Sequence, residues 1–486
     1  MSLLLFQPTA PGSSSAGTSH QFTATLTLLG ESSSVLFQSS RVYSAIKILA
    51  FIPSFVKSRP FTGKHTNSVF QPLPLHPLHY MPIERRTNLK KKTALQFAIL
   101  CGVPLVMVLG NSMLIPVFPQ MKQAMGLTQF QVGLIVTFFS VPAGILIPFA
   151  GLLSDRYGRK VIIVPALFIY GLGGLICGFS ALFMEEPYSL LLAGRVVQGA
   201  GAGGTYQLAM ALTGDTFQSS ERTKALGLLE ASNGLGKVLS PILGSLIALL
   251  SWYAPFFAYG LLAFPIALGV WFLVPEMQGK HTCESLQEYW RKLKEVFKEK
   301  GRLLLASYLV GMVALFLLFG VLSYISDILE STYNVYGLKK GFVLAIPVFS
   351  MALTSYLSGQ FLSDKQFLWK PIIVGGMFTT AVTLGLLPLF TSLKPHMATL
   401  FLTGVSIGIL LPPINSLITG ATSTDRRGMI TCLYGTVRFF GVAIGPPSFG
   451  LAAGLGTWAM FLGCACIAAT TAIIAAVSIT PPRPSE

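Results

Sequence analysis

With 486 residues, 52% apolar and only 11% charged side chains, and a mean hydropathy of +0.66, the chain lies far from soluble domains, which carry about 25% charged residues. Its net charge of +16 would suit a nucleic-acid binder, but the placement of that charge excludes one. Residues 1–92 hold ten Lys and Arg against Glu31 and Glu84, and the remaining excess sits mostly in short loops between apolar runs, so an all-α membrane protein is expected.

Residues 1–80 are rich in Ser, Thr and Pro, almost free of acids, and never apolar for long enough to span a bilayer; "AIKILAFIPSF" (45–55) is short and broken by proline. This stretch reads as disordered. It fits either an organellar targeting segment or a non-native extension upstream of a start at Met81, whose "PIERRTNLKKKTALQF" makes a short basic leader into the first span. The second reading is favoured. Apolar runs able to cross a hydrocarbon core of roughly 30 Å then follow at 95–118, 130–152, 161–183, 188–213, 223–250, 252–274, 303–328, 340–362, 371–391, 396–420, 429–454 and 457–478. Twelve transmembrane helices are expected. Most carry Gly or Pro, which membrane helices tolerate because neighbours re-satisfy the backbone and small residues allow close approach.

Cations concentrate in alternate loops, near Arg156, Arg159 and Lys160, near Arg222 and Lys224, through 280–302, at Lys365 and Lys370, and at Arg426 and Arg427. The opposite loops hold only Lys122, Lys339, Lys340 and Lys394, with Glu185 and Glu186 beside them. Both termini are therefore expected in the cytoplasm. In the loop 275–302, "SLQEYWRKLKEVFKEK" spaces Leu286, Tyr289/Trp290, Leu293 and Val296/Phe297 at helical intervals. An amphipathic linker helix lying on the membrane surface is expected there. The six cysteines show no CxxC spacing and read as buried thiols.

The halves on either side of this loop echo one another. "LLSDR" (152–156) returns as "FLSDK" (361–365), "SERTKALG" (220–227) as "TDRRGMITC" (424–432), and "GKVLSP" (236–241) as "GVAIGP" (441–446), at offsets from 204 residues (220 to 424) to 209 (152 to 361). The expected organisation is an N-terminal six-helix bundle (81–274), the linker, a C-terminal six-helix bundle (303–478) and a tail (479–486), with the bundles around a central cavity. Two like halves are what alternating access requires, one rocking against the other about a midplane site.

"GLLSDRYGRK" (151–160) is the most specific string. Gly151 and Gly158 supply backbone freedom for a tight turn, Asp155 can cap a helix, and Arg156, Arg159 and Lys160 face headgroups or carboxylates. The string resembles the signature loop of the major facilitator superfamily, G-x-L-[AS]-D-R-x-G-R-[RK]. The resemblance extends through "LGNSMLIPVFPQM" (109–121) and "LLLAGRVVQGAGAG" (190–203), the latter carrying Arg195. The fifth span is similar to the antiporter motif G-x8-G-x3-G-P-x2-G-G, as Gly227, Gly236, Ser240, Pro241, Gly244 and Ser245; two of its glycines are serine here. The resemblance implies a twelve-span proton-coupled exporter of the drug:proton antiporter subgroup. It also implies a gating latch of Gly151, Asp155, Arg156, Gly158, Arg159 and Lys160, with Asp155 near the start of span eleven. The loop's basic residues would meet Asp215 at the end of span four, beside the loop pair Glu221 and Arg222. The second copy, Asp364 and Lys365, has lost the trailing G-R-K.

Charges within spans are costly and face a cavity or a partner. Arg195, Glu230, Lys237 and Arg438 qualify, and Asp327 lies near the end of span seven. At 100° per residue, Glu230, Asn233, Lys237 and Pro241 share a sector of about 80°, while Gly236, Ser240 and Gly244 run along one edge of it. Lys237 is roughly 20 Å along the axis from either end of its span, beyond the reach of its stem, so it cannot snorkel to headgroups. A buried ion pair that merely holds helices together and a role in substrate or proton binding are both open, the second favoured. Glu230 is the leading proton carrier, with Arg195 tuning it. The substrate cavity is expected to draw on Lys237, Asn233, Arg438, Asn111, Tyr206, Gln207, Tyr324 and Asn415. Span one offers Asn111 and no acid, unlike exporters that place a carboxylate there.

The expected activity is export of a small, partly apolar organic compound in exchange for protons. No cofactor is expected beyond the proton gradient, and no partner beyond substrate, protons and lipid; the chain should be a monomer in the plasma (bacterial inner) membrane. Proton-coupled uptake of a metabolite is the alternative. A membrane-embedded enzyme would need convergent His, Asp or Cys residues, and neither it nor a non-transporting receptor has motif support.

Overall fold

The computed structural model describes residues 83–216, 219–276, 286–362, 365–422 and 424–480, all within the unit Met81–Glu486. The expectations for residues 1–80, for the linker's first part, for Asp364 and for the side chains of Glu221 and Arg222 lie outside the described residues, as does most of the tail.

Fourteen α-helices and no strand occur among the described residues. The first half comprises α1 (Ile83–Ser112), α2 (Phe118–Met125), α3 (Gln129–Tyr157), α4 (Arg159–Phe183), α5 (Tyr188–Gly203), α6 (Tyr206–Thr216), α7 (Ser219–Ile247) and α8 (Ala254–Leu273). The second comprises α9 (Leu286–Ser331), α10 (Gly337–Leu362), α11 (Trp369–Leu386), α12 (Leu393–Gly420), α13 (Thr424–Ala452) and α14 (Thr457–Ser478). Among the described residues, ten helical segments are long and apolar enough to cross a membrane.

Local sequence explains the boundaries. Thr128 opens α3 with a capping box, its Oγ1 accepting from the Gln131 N–H at 3.3 Å while the Thr128 N–H donates to Gln131 Oε1 at 2.8 Å. Gly158 separates α3 from α4 at φ 103°, a conformation L side chains rarely adopt. A Cβ there would also lie 2.5 Å from Glu276 Oε1.

The fourth expected span is not one helix. It breaks between Gly203 and Tyr206, where the Gly204 N–H turns to the Gly201 carbonyl at 3.1 Å and the Thr205 hydroxyl caps the Ala202 carbonyl at 2.7 Å. The glycines before the break serve packing. A Cβ on Gly199 would stand 2.1 Å from the Phe139 carbonyl oxygen, and one on Gly201 2.4 Å from that of Ala166, so α5 lies directly on the backbones of α3 and α4.

The linker departs from expectation. Its amphipathic segment runs without interruption into span seven as the 46-residue α9. Tyr289, Leu293 and Val296 are buried by the protein itself rather than by a membrane surface, and Arg426 at the start of α13 meets Glu295 at 3.0 Å. Trp290 of the same stripe stays exposed.

The two most extensive helix pairings between the halves are α3 with α13 and α7 with α10. The internal repeat interchanges these two pairs, since α3 corresponds to α10 and α7 to α13. Each is a close approach over small residues: a Cβ on Gly133 would lie 2.5 Å from Pro447 N, and one on Gly341 2.6 Å from the Pro241 carbonyl oxygen. The Thr137 hydroxyl donates to the Ala443 carbonyl at 2.6 Å and that of Thr436 to the Gly144 carbonyl at 2.8 Å, which fixes the first pair near its middle.

Candidate functional site

Between the halves lies a cavity to which both contribute side chains. The break after Gly203 turns Tyr206 and Gln207 of α6 onto its wall, and Asn233 and Lys237 of α7, Asn111 of α1 and Arg438 of α13 join them. Most of the remaining wall is apolar, with Phe139, Phe319 and Met351 among it. Tyr324 and Asn415 are not part of this lining. The Tyr324 hydroxyl pairs with Thr457 Oγ1 at 3.3 Å inside the second half, and Asn415 lies exposed on α12. Helix α9 meets the cavity with another face, through Leu315, Leu318, Phe319 and Leu322, and no α12 residue is part of the lining.

Glu230 stands outside the lining and is exposed, but it is tied to the wall: the Tyr206 hydroxyl donates to its Oε2. Phenol and carboxylate belong to helices separated by the α6–α7 connection, and no sequence spacing announces the bond.

Arg195 is fully buried. Its Nε donates to the Ile135 carbonyl at 2.9 Å, and Nη1 to the Gly110 carbonyl at 2.8 Å and to Gln198 Oε1 at 2.7 Å. Nη2 reaches Asn111 Oδ1 at 3.3 Å, and the guanidinium lies 4.4 Å from the Phe139 ring centroid. The charge is met by carbonyl dipoles and a π face, with no carboxylate among these contacts. Arg195 thus spans α1, α3 and α5 and touches the cavity through Asn111. Around it Tyr170 donates to the Val106 carbonyl at 2.7 Å and Tyr259 approaches Gln198 at 3.5 Å, a buried polar cluster the apolar patterning hid.

In the fifth span, Gly236 and Gly244 face α1, where Cβ atoms would meet Leu105 Cδ1 at 3.1 Å and the Met113 carbonyl oxygen at 2.1 Å. The Ser240 hydroxyl turns back to the Gly236 carbonyl at 2.6 Å, which hides its polarity within the packed face. Among the described residues, a Cβ on Gly227 would meet nothing within 4 Å beyond its own helix. Pro241 carries the stripe onto the cavity wall.

At the basic turn, Arg159 bridges Asp155 at 3.2 Å and also binds Asp215 through Nε. Lys160 donates to the Val274 carbonyl at 2.9 Å, its backbone N–H to Glu276 Oε1 at 3.1 Å, and Arg156 lies 5.4 Å from the Tyr157 ring centroid. These ties hold α3, α4, α6 and the end of α8 together. Toward the second half, a Cβ on Gly151 would meet Cys432 Sγ of α13 at 3.6 Å.

The opposite end carries a seam that the sequence reading missed. Lys340, expected as a loop cation, is 1% exposed; its Nζ donates to the Pro116 carbonyl at 2.6 Å and to Glu330 Oε1 at 2.8 Å. Beside it Ser326 donates to the Ile115 carbonyl at 2.6 Å, and Lys122 pairs with Asp327 at 3.1 Å. All but the Glu330 contact run from one half to the other. The only hint in the sequence was an acid and a lysine ten residues apart across a short turn.

A family profile described as Major Facilitator Superfamily matches residues 100–446 and again 341–486. The bacillibactin exporter of Bacillus subtilis (strain 168) is 40% identical over 367 residues, which cover 75% of this chain and 91% of that protein. The quinolone resistance protein NorA of Staphylococcus aureus (strain MRSA252) is 26% identical over 347 residues, 70% of this chain and 84% of that one. Among solved structures, a bacterial homolog of the human lysosomal transporter Spinster, inward-facing and occupied, superposes with a TM-score of 0.65 at 16% identity, covering 82% of this chain and 99% of that one.

Proposed function

Because the chain belongs to the major facilitator superfamily, we propose that it exports a small, partly apolar organic compound in exchange for protons, by alternating access between its two halves. The protein is a transporter rather than an enzyme, and an integral multi-pass membrane protein. The finer reading is a twelve-span monomer with both termini in the cytoplasm, needing no cofactor beyond the proton gradient. The relative named as a bacillibactin exporter makes bacillibactin the first compound to test.

One observation carries this reading: a largely apolar cavity lies between two repeat-related halves, bonded across at one end only a few residues from the cavity wall. With that end sealed, a substrate enters from the end bearing the 151–160 turn, which the distribution of lysine and arginine assigns to the cytoplasm. Glu230 carries the proton. When ionised it accepts from the Tyr206 hydroxyl; on protonation that bond loses about half of its strength. The wall at α6 and α7 is then free to move. Arg195, whose donors are engaged, acts by holding Asn111 and the α1–α5 packing in place.

The test is accumulation of bacillibactin in inverted vesicles under an imposed pH gradient, acid inside. Export predicts accumulation that collapses with the gradient and is lost in Glu230→Gln. Accumulation indifferent to the gradient would refute proton coupling. Full gradient-driven transport by Glu230→Gln would remove that residue as the carrier, and gradient-driven depletion of the vesicles would mean uptake instead.

A further inference from the structure

The polar part of the cavity wall is one-sided. Among the described residues it contains two cations, Lys237 and Arg438, and no carboxylate. Neither cation makes an ion pair or hydrogen bond among the described residues, although most buried charges are paired. Arg438 rests on the Tyr434 ring at 5.5 Å, and its buried Nε has no partner. The charges that act on Lys237 are Arg438, which repels it, and Glu230, which stands off the wall and is already engaged by Tyr206. The Asn233 side chain, 5% exposed and one helical turn from Lys237, has a buried Oδ1 with nothing donating to it. Two unpaired cations and an orphaned acceptor lining one cavity describe the complement of a ligand.

We propose that the transported compound is an organic anion, its charged group held between Lys237 and Arg438 and a neighbouring hydroxyl or N–H donating to Asn233. This rests on the export reading and gives its substrate class. The anion supplies the charge the wall lacks, so its binding removes a repulsion as well as making hydrogen bonds. Elsewhere in the lining, Phe139, Phe319 and Met351 offer an apolar surface for a ring. A permanently cationic drug would meet two like charges with no carboxylate on the wall to offset them. Anion binding also touches the same α7 stripe as Glu230, which places substrate and proton within one electrostatic unit.

The experiment measures binding to the purified full chain in lipid nanodiscs, with 2,3-dihydroxybenzoate, its neutral amide, unsubstituted benzoate and tetraphenylphosphonium as probes. On the wild-type protein the acid should bind about tenfold or more tighter than the amide, the loss expected for one charge-assisted contact, and tighter than tetraphenylphosphonium. Benzoate should bind more weakly than the dihydroxy acid, and Asn233→Leu should erase that difference. Lys237→Met and Arg438→Met should each weaken the acid about tenfold or more, with Lys237→Arg restoring it. The Lys237→Met protein should melt no lower than wild type, since an unpaired, partly buried charge has been removed. Equal affinity for acid and amide, or preference for the phosphonium cation, overturns the proposal on wild-type protein alone. If the acid binds as stated while vesicle transport ignores the pH gradient, proton coupling falls and the anion site stands. If gradient-driven transport holds and the cation binds best, only the anion site falls.

Discussion

Replacing Lys340 by methionine isolates the strength of the sealed end. The side chain makes two contacts, to Glu330 Oε1 at 2.8 Å and to the Pro116 carbonyl at 2.6 Å. Glu330 sits on the same half as Lys340, so that contact survives when the halves part and cancels from the equilibrium. The Pro116 contact crosses the seam and is lost on opening. A hydrogen bond from a charged donor is worth about 1.5–3 kcal/mol, which converts to a factor of about 12 to 150 in the ratio of sealed to open protein. A ratio of about 99 to 1 would fall to between roughly 8 to 1 and roughly 1 to 1. Spin labels at Glu185 and Lys394, exposed on the two halves at this end, report the change by pulsed electron resonance in a cysteine-depleted background. The variant should populate a longer distance visibly. Because methionine leaves Glu330 buried without its cation, the double variant Lys340→Met/Glu330→Gln is measured alongside and should show the same shift with better stability. Distance distributions superimposable on wild type in both variants would refute the assignment of the Pro116 bond to closure.

Further outcomes follow from contacts elsewhere. Arg195→Met strands the Gly110 and Ile135 carbonyls and Gln198; at about 1–3 kcal/mol for each buried group left unsatisfied, the loss should exceed about 3 kcal/mol, and a melting temperature within two degrees or so of wild type would contradict the strut reading. Gly199→Val drives a side chain into a carbonyl 2.1 Å from its Cβ position and should abolish folded protein in size-exclusion profiles. Gly227→Ala, whose Cβ would meet nothing within 4 Å beyond its own helix among the described residues, should keep stability or raise it by up to about 1 kcal/mol through helix propensity alone. Asp215→Asn breaks a partly exposed pair with Arg159 and should cost less than about 1 kcal/mol; a thermal loss corresponding to more than twice that would mean the pair carries structure beyond its own contact.

Much of the site was legible before any coordinates. The stripe of Asn233, Lys237 and Pro241 on one side of span five and the packed face of Gly236, Ser240 and Gly244 along its edge are consequences of helical angle, and both faces meet the surroundings expected of them. Glu230 shares the angle but not the wall. It lies about 10 Å along the axis from Lys237, past the edge of the cavity, where a phenol from another helix receives it. Angle is a property of one helix; axial extent of a cavity is a property of several.

The amino-acid order by itself determined that the chain is helical and membrane-embedded, where its apolar segments run, which turn carries the tight basic motif, and that its halves repeat. Those features follow from hydropathy, helical period and glycine's backbone freedom, all of which act over a few residues. Only the tertiary structure decided that Lys340 is buried at a seam instead of solvated in a loop, and that the linker helix is continuous with span seven. It decided too that Tyr324 and Asn415 turn away from the cavity while Lys237 and Arg438 share it. Each of these depends on which small residues, far apart in the chain, let two backbones touch. That contact sets the rotation and depth of every helix it joins, and therefore which polar atoms find partners and which wait for a ligand.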